Sequence, residues 1–512
     1  MNQNPTSPAG AALSAEKAQA IKAKGVVEYA DFGAVGDGKT DDIEAIFAAH
    51  AFANEHRLPV KADGKATYYI GGKGRTVEIM TDTDFNTAAF VIDDTQVENR
   101  NLNIFAVSST QKATKPGGIV SLKRGQEKVS LALRGPSLVT VTNSKVKRYI
   151  RFGANQNSGA AQTDIFQVDV NGVVDPLTPI LWDFDEITDL SVLPMDESTL
   201  RITGGRFTTI ANQEASKYSY YARGILIRRS NVIVDGLSHL VTGEGESGAP
   251  YGGFISVTNC AKVTVQNTVL TGHKIYNTIG SAGRGVSMGT YDINVNRALN
   301  VSFVHCKQSN DIHDPRYWGI MGSNFGKNLV YDHCIFSRFD AHMGVANATI
   351  RHSTLGHQGI NLIGSGRFIL EHSTVCARSL VNLRPDYGST WQGELTIRDC
   401  VFKPGNGKPM SAALVGGSNA GQHDFGYTCY MPERITIENL QIDDSQHPDQ
   451  YDGPALFDDF NPKMTDESYE EKYPYVLTKE VILKKVSTAS GKEVRVCNNP
   501  FMFRQVKVVR ED

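Results

Sequence analysis

Carboxylates, imidazoles, guanidinium groups and aromatic rings crowd the span from residue 273 to residue 424. Asp311, Asp314 and Asp340 are followed by His342 and His357. Hydrolysis of a glycosidic bond needs a carboxylic acid to protonate the leaving oxygen and a second carboxylate to activate water or attack carbon. In Arg338-Phe-Asp-Ala-His342 a carboxylate and an imidazole stand two residues apart, which directs both to one face of an extended backbone. The expected catalytic set is therefore Asp340 with Asp311 or Asp314, tuned or oriented by His342 or His357. Asp386 is a further carboxylate, and Asp424 is paired with it as the next to test.

Lys274, Arg316, Trp318, Arg338, Arg384, Tyr387, Trp391, His423 and Asp424 fall in the same span, with His273, His313, Arg378, Tyr291 and Tyr317 among them. Apolar ring faces beside polar groups are what sugar binding requires, so the first nine are expected to bind substrate. For any one of these side chains a turn hydrogen bond or a surface ion pair is the plainer reading. Their concentration here, against their scarcity near residues 230 and 480, is what points to a site. Two other chemistries use the same residues. A lyase needs a base near the C5 proton of a uronate and cations to neutralise its carboxylate, which Lys274, Arg316, Arg338 and Arg384 supply. A non-catalytic adhesin needs only the binding surface.

The elements that position these residues are short repeats. Asn300-Val-Ser-Phe-Val-His-Cys, Asn328-Leu-Val-Tyr-Asp-His-Cys, Ala348-Thr-Ile-Arg-His-Ser and Phe368-Ile-Leu-Glu-His-Ser share one pattern with Leu395-Thr-Ile-Arg-Asp-Cys and Ile435-Thr-Ile-Glu-Asn-Leu. Each is an alternating strand, then a polar residue, then a small or apolar one. Aligning Thr268, Cys306, Cys334, Ser353, Ser373, Cys400 and Leu440 gives spacings of 38, 28, 19, 20, 27 and 40. A minimum near 20 with irregular excess describes a coil of strands whose turns carry insertions. One rung cannot bury its inward side chains alone, but stacked rungs share a core. The reading is all-β: a parallel β-helix over residues 201–512, whose equivalent Cys306, Cys334 and Cys400 are small buried residues rather than disulfide partners.

Upstream, Asp31-Phe-Gly-Ala-Val-Gly-Asp-Gly-Lys-Thr-Asp-Asp42 leads into an amphipathic helix from Ile43 to Arg57, with Thr40 or Asp41 as its cap. Residues 26–84 then form this cap and the first turns, after a polar segment at 1–25. Residues 85–200 break the coil pattern and are expected to be an inserted antiparallel β-rich module, with a type I′ hairpin at Asn171-Gly172.

The stretch from 28 to 72 resembles the N-terminal signature of the pectate-lyase-like superfamily of β-helix proteins, which includes polygalacturonases, lyases and phage tailspikes. The resemblance implies a right-handed coil capped by the helix. Gly356-His-Gln-Gly-Ile-Asn-Leu-Ile-Gly-Ser365 resembles the histidine-bearing motif of polygalacturonases. The Asn-Thr-Asp and Arg-Ile-Lys segments of that family are missing, so the implied activity is that of a related glycoside hydrolase. Many lyases of the superfamily use Ca²⁺, which carboxylate clusters could hold here too; no calcium-loop spacing is present, so no cofactor or metal is expected, with Ca²⁺ as the alternative.

Composition bounds these readings. With 52 basic and 55 acidic residues in 512, the charge of -3 argues against a nucleic-acid partner. No run of about 20 apolar residues is long enough to span a membrane. The partner is expected to be a polysaccharide or oligosaccharide, with homo-oligomerisation open. No signal peptide is visible. A glycan substrate favours a secreted, periplasmic or cell-surface protein whose signal has been removed.

Overall fold

The computed structural model describes residues 14–215, 219–407, 412–448 and 450–511. The first thirteen residues of the polar N-terminal segment lie outside them; the rest of that segment forms a helix, Ala15–Lys24, which the sequence reading missed.

The repeats close into a parallel coil. Leu200, Val232, Val263, Val301, Leu329, Ala348, Phe368, Leu395, Ile435 and Val481 pair one above another through successive turns. None of them is more than 3% exposed. The polar residue closing each repeat is the corner. Asn267, His305, His333, His352, His372, Asp399 and Asn439 all take left-handed backbone with φ between 47° and 53°. Among non-glycine residues, Asn, Asp and His are enriched in that region. The small residue after each corner then points inward, and Thr268, Cys306, Cys334, Ser353, Ser373, Cys400 and Leu440 are all buried. All seven cysteines are unbridged.

Each turn has three faces. The first carries the ladder above, and the second is short, as in Lys307–Gln308. The third runs through Ile255–Thr258, Ile293–Asn296 and Met321–Asn324, then continues through the pairs Asp340↔Asn361, Asn361↔Asn382 and Val381↔Val415. Loops between the second and third faces are long below residue 320 and short just above it. One of them contains the hairpin Tyr276–Ile279 with Gly285–Met288. The N-terminal end is covered by the helix Ile43–His56, whose Ile43, Ile46, Ala49 and Ala53 are buried. The Asp41 carboxylate accepts from the Ile43 N–H, and the Asp42 carboxylate from Val35 and Gly36.

The inserted module starts later than residue 85. Thr83–Asp93 pairs parallel with Leu200–Ile210, and Phe105–Val107 with Ile225–Ile227, so both belong to the coil. Their inward residues, including Phe85, Phe90 and Phe105, are fully buried there. The module proper is a three-stranded antiparallel sheet of Ser137–Arg148, Ala160–Val168 and Asp189–Pro194. Its hairpin is not type I′. The Gly172 N–H donates to the Asp169 carbonyl at 3.0 Å, and Gly172 alone has a positive φ, 76°. That is a three-residue connection with one left-handed position, since Asn171 is not forced over. The module is anchored by Lys327 Nζ on the coil, 2.7 Å from Asp164 and buried with it. Its tip, residues 149–157, bridges two parts of the coil: Ile150 and Phe152 bond to Phe425 and Asp386, and Ala154 accepts from Ala282 of the hairpin.

Phe368 sits mid-ladder, fully buried. Phe368→Ala is expected to cost about 3–5 kcal/mol in chemical denaturation, against less than about 0.5 kcal/mol for Ile335→Ala at an exposed site.

Candidate functional site

The third face bears a groove in two halves. The lower half is a cavity of about 460 Å³ lined by Tyr291, Asn294, Trp318, Asn324, His342 and Arg384, with Tyr251 and Met288 on its loop side. The tip of the inserted module roofs it with Arg151 and Asn155. The upper half, about 630 Å³, is lined by His357, Asn361, Arg378, Asn382, Asp458 and Asp459. Arg384 belongs to the lower half and Pro385 to the upper, so the two halves meet at the segment Arg384-Pro-Asp386.

Guanidinium–carboxylate contacts dominate the lower half. Asp340 is fully buried, with Arg338 at 2.7 Å and Arg384 at 3.0 Å, while Arg384 also reaches Asp386 at 3.0 Å. Arg151 closes on Asp386 at 2.8 Å. Burial pushes the Asp340 pKa up, but Arg338 and Arg384 more than offset this and hold it at about 2. Asp386 is likewise lowered against its burial, by Arg384 and Arg151. Burial lowers His342 to about 4, helped by Arg384, so its imidazole is neutral at pH 7; its Nδ1 lies 2.9 Å from Asn324 Oδ1. Three guanidiniums therefore face two carboxylates. Arg338 also lies 4.8 Å under the Trp318 ring, and a Cβ added to Gly289 would sit 1.9 Å from Trp318 Cγ, so the indole is clamped in place. Among the described residues, no group of three or more His, Cys, Asp or Glu side chains is arranged to hold a metal ion.

No family model and no curated protein matches the chain in sequence. Solved structures do match. The tailspike gp61 of Pseudomonas phage phi297 superposes with a TM-score of 0.54 at 12% identity, over 94% of this chain and 84% of that one. The Gp54 tailspike of Acinetobacter baumannii bacteriophage AP22, solved in complex with A. baumannii capsular saccharide, gives 0.53 at 10% identity, over 96% and 80%. At these identities the likeness is one of fold. The chain is a right-handed parallel β-helix.

Within this β-helix several expected site residues stand elsewhere. Asp340 is sealed between two guanidiniums and reaches no cavity, so it orients Arg384 and Arg338 rather than offering a free carboxyl. Asp311 and Asp314 do not join it. Asp311 accepts from the His313 N–H in an exposed loop, and Asp314 pairs with Arg316 at 2.5 Å. Trp391 is 0% exposed and donates from Nε1 to the Gly366 carbonyl, so it is core and not a sugar platform. Tyr387 is buried against Tyr149, with Arg151 5.3 Å over its ring. Lys274 bonds the Gly245 carbonyl, His423 packs on Phe152 and Phe425, and Asp424 accepts from the Gly426 N–H. The groove does bring together Trp318, His342 and Arg384 in its lower half and places His357 in its upper half, with Arg338 and Asp386 beneath and beside them.

Sequence reasoning missed Asp458 and Asp459, which lie beyond the repeats richest in polar residues. It also missed a buried chain behind Tyr251. Asp292 takes His239 Nδ1 at 2.8 Å and His273 Nε2 at 3.2 Å, and His273 Nδ1 meets Glu244 at 2.9 Å. No motif announces this chain, since its members come from three different loops and strands.

Two outcomes test these electrostatics. Arg384→Ala leaves Asp340 buried with one cation fewer, and a loss of about 3–5 kcal/mol in urea denaturation at pH 7 is expected, with much of it recovered in Arg384→Ala/Asp340→Asn. The second concerns His273. Burial would strip its proton, but Asp292 and Glu244 raise its pKa to about 10. That lies above the unfolded value near 6.5, so its stabilisation is complete below about pH 6.5 and is lost as pH rises through 10. The stability gap between wild type and His273→Gln should be widest at pH 6 and narrow steadily toward pH 10; a gap independent of pH would show that His273 is neutral in the fold.

Proposed function

We propose that the protein binds a glycan chain along the third face and hydrolyses it in the upper half of the groove. The observation that carries this is the carboxylate pair Asp458 and Asp459 on the wall of the 630 Å³ cavity, beside His357, Asn361 and Asn382. Unlike Asp340, Asp458 keeps access to the cavity: its side chain is 31% exposed, and its cation, Arg378, is 3.8 Å away. Asp459 accepts from the Asn461 N–H and from Asn499 Nδ2, which fix its orientation. One carboxyl of the pair protonates the leaving oxygen and the other activates water. His357 is held by its own Nδ1 against the Ile312 carbonyl, leaving Nε2 toward Gln358. The clamped Trp318 and the ring of Tyr291 supply a platform for sugar faces in the lower half. A polysaccharide substrate is in keeping with the capsular saccharide in complex with the AP22 tailspike, and it favours a protein that works outside the cell or at its surface.

A second reading rests on His342. A neutral imidazole beside Arg384 and Arg151 is the arrangement for removing a proton next to a carboxylate that the guanidiniums neutralise, as β-elimination from a uronate requires. The two are separated by incubating the protein with a polysaccharide panel while reading new reducing ends and the ultraviolet absorbance of unsaturated uronates. Reducing ends alone, lost by about 10²–10⁴ in kcat in Asp458→Asn or Asp459→Asn, are the expected result. Both signals, abolished by His342→Asn and kept in Asp458→Asn, would select the lyase. Retention of the protein on a glycan with neither signal would select an adhesin.

A further inference from the structure

A second trough runs along the seam between the inserted module and the coil, and none of its lining residues lines the groove. One compartment, about 340 Å³, is lined by Arg124, Arg148, Trp182, Gln392, Thr428 and Tyr430. The next, about 400 Å³, shares Arg124, Leu181, Ser365 and Gln392 with it and continues past Arg367, Glu394 and Glu433. The two are therefore contiguous, an elongated shape suited to a chain-like ligand rather than a compact one.

The walls have two kinds of surface. Trp182 is half-buried, and the Arg148 guanidinium lies 4.7 Å over its ring. Arg148 is itself fixed, donating from Nε to Gln162 at 2.8 Å and from Nη1 to the Gly426 carbonyl. Tyr149 and Tyr427 pack behind Trp182, at ring separations of 6.3 and 6.0 Å. The indole is thus a rigid platform. Hydrogen-bonding groups share the lining with it: the exposed residue Thr428, the Gln392 amide bonded by Arg124, and Ser365. Arg124, Arg148 and Arg367 are matched by Asp183, Glu394 and Glu433, so the trough has no strong charge preference. An apolar ring face, fixed polar groups and a balanced charge in an elongated cleft match a saccharide chain better than a nucleic acid or a phosphorylated ligand.

We infer that this seam is a second, non-catalytic glycan-binding site that holds a neighbouring stretch of polysaccharide while the groove acts on another. The inference rests on the reading that the protein acts on glycans, but on different residues. Two sites on one polymer raise its effective concentration at the groove without any new contact there.

The test is affinity electrophoresis of the full chain through gels containing dextran, xylan, polygalacturonate or alginate, alongside reducing-end assays on the same glycans. The variants are Arg124→Ala, Trp182→Ala and Trp318→Ala, each first checked by a melting curve. Arg124 is an exposed rim residue, so its variant keeps the test decisive if Trp182→Ala fails to fold. At least one glycan is expected to retard wild type. Trp182→Ala should weaken that retardation roughly tenfold, as loss of a stacked ring implies, and Arg124→Ala should weaken it in the same direction. Both should leave cleavage of a short oligosaccharide unchanged, while Trp318→Ala retains part of the retardation. If glycan is bound and cleaved but both seam variants behave as wild type, the seam proposal falls and the groove reading stands. If the seam variants lose retardation and no glycan is cleaved, the seam proposal stands and the hydrolase reading falls. No retardation in any gel would overturn the seam proposal outright.

Discussion

Every turn of the coil must present the same kind of side chain at the same place as the turn below it, because parallel pairing stacks position on position. The column from Leu200 through Val481 works only in register; a slip of one residue would turn its apolar members outward. The left-handed corner enforces that register. At Asn267, His305, His333, His352 and His372 the backbone leaves one face and enters the next at the same point of each turn. Insertions are then tolerated between the second and third faces and between the third and first, where chain can leave and return without disturbing the pairing. The inserted module and the hairpin of residues 276–288 both exploit this, and together they make the walls of a groove that the bare coil lacks.

Buried ions tie those additions down. Lys327 with Asp164 joins the module to the coil, and Arg223 with Asp94, at 2.7 Å, pins a loop of the lower turns. Arg384 spans Asp340 and Asp386 beneath the groove. Pairs of this kind add little net stability over well-packed apolar groups, since desolvation consumes most of the attraction. Their effect is geometric. A misdocked module would leave Asp164 and Lys327 buried without partners, at a cost of several kcal/mol. The same reasoning explains the chain behind Tyr251: His273 is held between Asp292 and Glu244, while His239 joins Asp292 to the Thr209 hydroxyl, so each buried polar group has a partner.

The fold was legible because the coil writes itself locally. Polar corner followed by small inward residue is visible at Cys306, Cys334, Ser353, Ser373 and Cys400, and the structure pairs the residue after each, Lys307, Ile335, Thr354, Thr374 and Val401, in the order that the spacing implies. The start of the module was less legible, since Thr83–Asp93 and Phe105–Val107 are coil strands separated by a loop, and the left-handed corner at Asn86 is followed by the exposed Thr87 rather than by an inward small residue. The site was legible only in part. Trp318, His342, His357 and Arg384 come to line one candidate groove because loops at one edge of a β-helix stack, so nearby repeats share it. Trp391 and Tyr387 were misplaced because period and composition do not say which side of a short strand faces in where a 3₁₀ turn, Pro385–Tyr387, resets the phase.

Asp340 marks the deeper difficulty in finding a catalytic carboxylate from sequence. Its attraction was the company it keeps, an arginine two residues before and a histidine two residues after. That same company is what disqualifies it: a guanidinium at 2.7 Å holds the carboxyl ionised, and a second at 3.0 Å helps seal it from the cavity. A general acid needs the opposite surroundings, with a proton retained near neutral pH and a clear path to the leaving group. Asp458 meets the access requirement, with no guanidinium within 3.5 Å among its ion pairs, and it sits three rungs above His357 in a stretch with no distinguishing pattern. In a stacked coil the residues that share a cavity are set by rung number rather than by sequence distance. Oppositely charged neighbours along the chain therefore tend to neutralise one another, while the groups that line one cavity, as His357 and the adjacent Asp458 and Asp459 do, come from turns that the sequence keeps about a hundred residues apart.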